Sequence, residues 1–124
     1  MTVKTALITV VDDDESVRES LPDLIREFGF SANSFSSAEE FLESDSLNLT
    51  KCLILDVSMP GMSGPDLQKE LKLRRREIPI VFITAHVEET GCECLIEQGA
   101  IDCLFKPFSE NDLLSAVETA LKEN

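Results

Sequence analysis

The segment CLILDVSMP, residues 52–60, decides the fold of this chain. Its apolar run, Cys52–Leu55, is too short for a typical helix, and apolar side chains at consecutive positions indicate a strand covered on both faces. Such strands are typical of parallel sheets, in which helices pack on each side. Asp56 follows directly, so the segment predicts a central parallel strand with a carboxylate at its carboxyl end.

Other apolar runs are similarly short and bounded by polar residues or proline. They are Ala6–Val11, Ile80–Ile83 and Ile101–Phe105. A weaker and more polar run, Ser31–Phe35, fits an edge strand better than a central one. Together with the segment above, these runs predict five strands.

Amphipathic patterns between the strands predict helices. The first apolar stripe is Val17, Leu21, Leu24, Ile25 and Phe28, and the last is Leu113, Leu114, Val117 and Leu121. Ser37–Glu40 and Ser109–Asp112 have the spacing of a capping box, and Ser63–Asp66 places a proline early in a helix. Pro22 lies inside the first stripe and predicts a kinked helix that survives because its apolar face is buried. A fourth, weaker helix is predicted over His86–Gln98.

The alternation of strands and helices predicts an α/β fold, with a doubly wound parallel sheet and helices on both faces. At 124 residues the chain has room for one domain, predicted over residues 1–124 without an output domain. A composition of 43% hydrophobic and 28% charged residues argues against a disordered tail.

The formal charge of -13 comes from 24 acidic and 11 basic residues, and five of the basic ones lie between residues 69 and 76. The part of this cluster from Lys72 to Arg76 is expected to end the third helix, where cations complement the helix dipole; a partner-docking patch is the alternative. The acidic remainder argues against direct binding of nucleic acid or anionic lipid. Because no secretory signal pattern or long apolar run is found, a cytoplasmic location is expected.

The four cysteines do not have the spacing of a zinc site. Cys52 and Cys103 lie in strand-like runs, and only Cys92 and Cys94 are close in sequence. This distribution favours buried or free thiols over disulfides.

Polar side chains follow the predicted strands where ligands bind in doubly wound sheets, at the carboxyl ends. The first strand is followed by residues 12–14, all aspartates, the third by Asp56, the fourth by Thr84, and the fifth by Lys106. Clustered carboxylates repel one another unless a cation is bound. Because the donors are oxygens only, Mg²⁺ is the predicted ion.

These residues also identify a family. The segments at 10–14, 55–64, 84–85 and 106–108 read VVDDD, LDVSMPGMSG, TA and KPF, and they closely resemble the receiver domain of bacterial two-component response regulators. The opening of the chain is most similar to receivers of FixJ/NarL-type regulators, which precede LuxR-type helix-turn-helix output domains. The resemblance implies a flavodoxin-like (βα)5 fold with strand order 2-1-3-4-5.

The same resemblance implies roles for the residues at the strand ends. Asp56 would be the phosphoacceptor, Asp12 and Asp13 would position Mg²⁺ together with Asp56 and the backbone carbonyl of Ser58, and Asp14 would cap a helix. In such domains a hydroxyl and an ammonium follow the phosphoryl group. Thr84 and Lys106 match them here, with a cis bond expected between Lys106 and Pro107.

Four positions match those that tune or transmit the signal in receivers: Ser58, Ala85, His86 and Cys103. Ser58 and His86 match positions that affect the lifetime of the acyl phosphate. Cys103 departs from the pattern, because receivers usually carry an aromatic residue there that moves together with the threonine.

The resemblance implies a signalling module that phosphorylates and dephosphorylates itself and is not an enzyme in the usual sense. A histidine kinase or phosphotransfer protein would be its donor, and phosphorylation would switch a dimerisation or docking surface formed by the fourth helix, fifth strand and fifth helix. Transcription would be controlled through an output domain outside these residues. An alternative is a stand-alone receiver or phosphorelay intermediate that acts by protein–protein contact.

Two readings from other classes are weaker. A haloacid-dehalogenase-like phosphohydrolase would use the Asp12-x-Asp14 spacing, but 124 residues leave no room for a cap domain. An interaction domain that is never phosphorylated would have no need for the acceptor, acidic pair, threonine and lysine together.

Overall fold

The computed structural model describes residues 6–85 and 92–122. Its strands form one parallel sheet in the order β2-β1-β3-β4-β5, which confirms the predicted topology. The strands are β1 (Leu7–Val11), β2 (Ser31–Phe35), β3 (Thr50–Asp56), β4 (Ile80–Thr84) and β5 (Asp102–Phe105). The fold is the doubly wound, flavodoxin-like arrangement, with its strand-order reversal between β1 and β3.

The helices cover both faces of this sheet. They are α1 (Glu15–Glu27), α2 (Ala38–Leu42), α3 (Gly64–Leu73), α4 (Cys92–Glu97) and α5 (Glu110–Lys122), with a 3₁₀ turn at Asp45–Asn48. The first part of the predicted fourth helix, residues 86–91, lies outside the described residues. Within the described ranges, none of the helices has the length and apolar character needed to cross a bilayer.

The hydrophobic core has two layers, one on each face of the sheet. On one face, Leu53 packs in a cluster with Phe41 of α2 and Leu67 of α3. On the other, Ile54 packs in a cluster with Ile25 of α1 and Leu113 of α5. Neighbouring residues of one strand therefore serve opposite layers, and β3 is buried on both sides, as its continuous apolar run predicts.

Side-chain caps begin the helices at the predicted positions. Asp14 caps α1 by accepting a hydrogen bond from the Ser16 amide at 2.9 Å. The Ser109 hydroxyl accepts from the Asp112 amide at 3.0 Å, and Ser63 forms a complete capping box with Asp66. These bonds satisfy amides that have no partner within the helix.

Two helix predictions need comment. At Ser37 only half of the predicted capping box forms: its hydroxyl accepts from the Glu40 amide, but the Glu40 carboxylate bonds to Ser36 instead. The α1 helix continues through Pro22, which is buried beside Leu21. Burial of this apolar face offsets the hydrogen bond that proline cannot donate. The kink itself stays a prediction.

A network of polar side chains connects three neighbouring strands. The buried Thr9 hydroxyl lies 2.9 Å from Asn33 Oδ1 and 2.7 Å from the Thr50 hydroxyl. Asn33 Nδ2 donates to the Ser46 hydroxyl at 2.6 Å, and the Thr50 hydroxyl donates to the Ser46 carbonyl at 2.7 Å. The network connects β2, β1 and β3 to the 3₁₀ turn.

The prediction that every cysteine is a thiol is wrong for one pair. Cys92 and Cys103 form a disulfide, with Cα atoms 6.0 Å apart. The sequence places Cys92 nearest to Cys94, but residues two apart on a helix point in different directions, whereas α4 packs against β5. Cys52 is a buried free thiol and Cys94 an exposed one, as expected.

Gly64 is where α3 approaches the end of β3 most closely. Its amide donates to the Val57 carbonyl at 3.1 Å. A Cβ atom there would collide with the Asp56 carbonyl oxygen and lie 3.0 Å from the Phe82 ring and from Val57 Cα. Two of these contacts are rigid backbone, so α3 would have to shift.

We expect Gly64→Ala to lower the free energy of unfolding by about 1–3 kcal/mol, because this backbone cannot give way without moving the end of β3. Lys69→Ala, at an exposed position of the same helix, is the control and is expected to change stability by less than about 0.5 kcal/mol. Urea denaturation measures both. Equal stability of the two variants would contradict the close approach.

Candidate functional site

Four polar side chains meet at the carboxyl edge of the sheet. Asp12 follows β1, Asp56 ends β3, Thr84 ends β4, and Lys106 follows β5. The pairing of Val11 with Leu55 places the first two next to each other, because β1 and β3 are neighbours. Parallel pairing therefore turns positions far apart in sequence into one cluster, as predicted.

Three carboxylates lie close enough to hold one ion. Oxygen atoms of Asp12, Asp13 and Asp56 lie within 4.8 Å of one another. Asp12 and Asp56 are buried, with 0% and 6% exposure, whereas Asp13 is exposed and faces solvent. An all-oxygen set with one open side suits a hard divalent cation that keeps some of its waters, so these residues fit Mg²⁺.

Lys106 places a positive charge beside this acidic cluster. Its Nζ lies 3.0 Å from Asp12 Oδ2 and forms an ion pair between a partly buried lysine and a fully buried aspartate. Burial disfavours the charged lysine, but the hydrogen bond and charge of Asp12, with the charges of Asp56 and Asp14, raise the pKa of Lys106 overall. The ammonium is therefore held in its charged form.

Two hydrogen bonds from residues at the start of α1 also position Asp12. Its Oδ1 accepts from the Asp14 amide at 2.9 Å, and Arg18 Nη1 donates to its backbone carbonyl at 3.0 Å. Sequence reasoning missed Arg18, which looks like an ordinary polar helix residue. Only the direction in which α1 leaves β1 brings its guanidinium back to the strand end.

The surroundings of Asp56 oppose the charged form of its carboxyl group. Burial, followed by the charge of Asp12, raises its pKa to about 7, although Lys106 acts in the opposite direction. The Ser58 amide, at 3.4 Å from Oδ1, gives only weak support. A cation bound at this cluster would favour the ionised form.

Thr84 is 1% exposed and ends β4, the strand next to Asp56 in the sheet. Its backbone carbonyl accepts from the Lys106 amide at 2.8 Å, which connects the loops that follow β4 and β5. The bond between Lys106 and Pro107 is cis, as expected.

The structure describes three of the four predicted tuning positions. Ser58 and Ala85 are exposed, on the loops after β3 and β4. Cys103 is buried in β5 and disulfide-bonded, and His86 lies outside the described residues. Asp14 caps α1 and does not join the three-carboxylate cluster, so the Asp12-x-Asp14 pair of the phosphohydrolase reading is not the pair that converges here.

Sequence reasoning also missed Glu39, which supports the loop between β3 and α3. Its Oε2 accepts from the Met62 amide at 3.2 Å, so α2 contacts the segment that follows Asp56. In the sequence Glu39 reads only as an acidic residue in the first turn of a helix. No sequence signal for this contact was available, because the two residues are far apart along the chain.

Comparison with known proteins agrees with this geometry. A model of the response regulator receiver domain matches residues 8–118. The chain belongs to the response regulator receiver family. Receivers are signalling domains of two-component systems and interact with kinases, and they bind Mg²⁺ at an acidic pocket.

Individual relatives place this receiver among regulatory proteins. The response regulator protein TodT of Pseudomonas putida is 43% identical over 122 residues, which cover 98% of this chain and 54% of TodT. The transcriptional regulatory protein FixJ of Bradyrhizobium diazoefficiens is 34% identical over 116 residues, covering 94% of this chain and 57% of FixJ. The receiver thus spans about half the length of these curated relatives.

Solved structures confirm the receiver fold. The response regulator StyR superposes with a TM-score of 0.90 at 45% identity, covering 98% of this chain and 61% of the StyR chain. The crystal structure of FixJ-N gives a TM-score of 0.87 at 31% identity, with 98% of both chains covered.

Removing the Asp56 charge should stabilise the receiver when no divalent cation is present. Its native pKa of about 7 lies above the ordinary 3.8, so the native state binds this proton more tightly than the unfolded chain. Wild-type stability therefore falls as the pH rises between these two values. We expect Asp56→Asn to raise the free energy of unfolding by about 2 kcal/mol above the native pKa, because solvent at the open side screens part of the effect. The gain should vanish below the ordinary pKa.

Urea denaturation in the presence of a chelator, across this pH range, measures the difference. Asp45→Asn, which removes an exposed carboxylate, is the matched control. The same pH profile for both variants would contradict the assigned environment of Asp56.

Proposed function

We propose that this receiver accepts a phosphoryl group on Asp56 from a histidine kinase or phosphotransfer protein. The observation that carries the proposal is the position of Asp56, a buried carboxylate beside Asp12 and Asp13 at the carboxyl edge of the sheet, where Lys106 pairs with Asp12. A carboxylate can act as a nucleophile toward phosphorus. Membership in the receiver family supports this role.

The transfer is a displacement at phosphorus. An Asp56 carboxylate oxygen attacks the phosphorus of a phosphohistidine, the new O–P bond forms, and the P–N bond breaks. The electron pair of the broken bond stays on the imidazole nitrogen of the donor, which then takes up a proton. The product is an acyl phosphate on Asp56.

The other residues of the site hold charge and geometry during this step. Lys106 keeps its ammonium at the cluster by pairing with Asp12 and can instead pair with phosphoryl oxygens. Thr84 ends the neighbouring strand and offers a hydroxyl to the same group. Mg²⁺, held by Asp12, Asp13, Asp56 and the carbonyl of Ser58, would neutralise negative charge on the transferring group.

The output of this reaction is a changed docking surface. Phosphorylation replaces the carboxylate of Asp56 with an acyl phosphate whose phosphoryl group carries about -1.5 to -2 charge, and it biases the end of β4 at Thr84 and the loop that carries Lys106. Ile96 of α4, the helix after Thr84, and Phe105, directly before Lys106, are large apolar residues exposed by 45% and 40%. We infer that α4, β5 and α5 form the surface for a phosphorylation-dependent homodimer, and that an output domain controls transcription. The names of relatives such as FixJ support this last step.

Incubation with phosphoramidate and Mg²⁺ should add about 80 Da to the intact chain, the mass of one phosphoryl group. Asp56→Asn should abolish the adduct, because an amide is not a competent nucleophile here. Intact mass spectrometry at neutral pH measures both.

The exposed-site variant Asp45→Asn serves as the control and should be labelled like wild type. Persistent labelling of Asp56→Asn would remove this residue from the role. Rapid release of free phosphate from an added phosphomonoester, over many turnovers, would instead favour a phosphohydrolase.

Binding of a divalent cation can be followed with Mn²⁺, whose paramagnetism broadens NMR signals of nearby amides. We expect selective broadening at residues 12–14 and 56–58 in the wild type. Asp13→Asn should weaken the affinity by about 10–100-fold, since it removes one ligand and leaves the fold intact. Asp45→Asn should bind like wild type. Broadening centred on another acidic part of the surface would place the cation elsewhere.

A further inference from the structure

The disulfide between Cys92 and Cys103 joins α4 to β5. Cys92 is the first residue of α4, the helix after the strand that ends at Thr84. Cys103 lies in β5, three residues before Lys106. The covalent bond therefore connects the helix that follows Thr84 in the chain to the strand that precedes Lys106.

The position of the pair suits formation and breakage of the bond in the folded protein. The two Cα atoms are 6.0 Å apart, which is within the range that a disulfide spans without backbone movement. Cys92 is partly buried at the edge of the apolar layer that contains Leu53, so it is the more exposed member of the pair. Cys103, with 9% exposure, lies behind it as the partner.

Neither of the other two cysteines is placed to replace a member of this pair. Burial raises the pKa of the Cys52 thiol to about 12, so almost none of it is thiolate at neutral pH. Cys94 is exposed, and its Sγ accepts a hydrogen bond from Gln98 Nε2 at 3.2 Å. Cys94 lies on a different side of α4 from Cys92, because residues two apart on a helix do not face the same way. Among the described cysteines, only Cys92 and Cys103 are paired.

We propose that Cys92 and Cys103 are a reversible thiol–disulfide modification site whose oxidant is a low-molecular-weight disulfide of the glutathione class. The Cys92 thiolate attacks glutathione disulfide, forms a mixed disulfide and releases one glutathione thiolate. The Cys103 thiolate then attacks the Cys92 sulfur, closes the internal bond and releases the second glutathione. Two protein thiols are oxidised and one glutathione disulfide is reduced to two thiols.

Oxidation should change how firmly α4 is held. This helix spans only six residues, and Leu95 is its one fully buried side chain among those described. The Gln68 side chain donates to the Leu95 carbonyl at 3.3 Å, a long hydrogen bond. The disulfide adds a covalent attachment to β5 at the start of the helix, so reduction leaves α4 held by the burial of Leu95 and by this hydrogen bond.

The test compares the reduced and oxidised wild-type chain, without any phosphodonor. Equilibration with glutathione disulfide should lower the mass of the chain by about 2 Da, the two hydrogens lost when two thiols join. The thiol titre of the denatured chain should fall from all four cysteines to Cys52 and Cys94 alone. Amide hydrogen exchange within α4 should slow by at least about tenfold, and the Tm should rise by about 5–10 °C.

Cys94→Ser is the matched control and should behave like wild type in every measurement. Cys92→Ser and Cys103→Ser should each lose the mass change and the slower exchange, and either one suffices if the other fails to fold. Retention of four thiols, a stable glutathione adduct on Cys94, or equal exchange of α4 in both states would overturn the proposal. Because no phosphoryl transfer is measured, these results are independent of the function proposed for Asp56.

Discussion

The ion pair between Lys106 and Asp12 is the interaction on which the site depends. It joins residues 94 positions apart, at 3.0 Å, across the carboxyl edge of the sheet. Without the ammonium, the neighbouring buried carboxyl groups of Asp12 and Asp56 would lose the cation that pairs directly with Asp12. In the phosphoryl transfer proposed above, the same lysine would leave Asp12 and pair with phosphoryl oxygens, so the bond would serve both the resting state and the reaction.

The site is therefore assembled at a cost in stability. Asp56 is kept where burial and a neighbouring aspartate oppose its charge, which is the arrangement expected of a group selected for chemistry. Rigid packing maintains it: Gly64 lets α3 approach the end of β3, and Glu39 holds the loop beyond it. Burial of the apolar side chains in the two core layers offsets the destabilising effect of this carboxylate cluster.

Most of this arrangement follows from the sequence, because a parallel sheet brings the residues after its strands to one edge. Asp12, Asp56, Thr84 and Lys106 could thus be placed together from apolar runs alone. The contacts of Cys92 and Arg18 could not, since they depend on the rotation and tilt of α4 and α1. Local patterns have a similar limit: Glu40 has the spacing for a capping box but finds Ser36 instead of the Ser37 amide.

The polar network around Thr9 bears on how accurately the acidic cluster is built. Hydrogen bonds are directional and are lost when donor and acceptor are displaced by one position. A slip of β1 against β2 or β3 would turn Thr9 to the opposite face and separate its hydroxyl from Asn33 and Thr50. It would also carry Asp12 away from Asp56. The hydrogen bonds of Thr9 with Asn33 and Thr50 thus help to fix the strand register that places Asp12 beside Asp56.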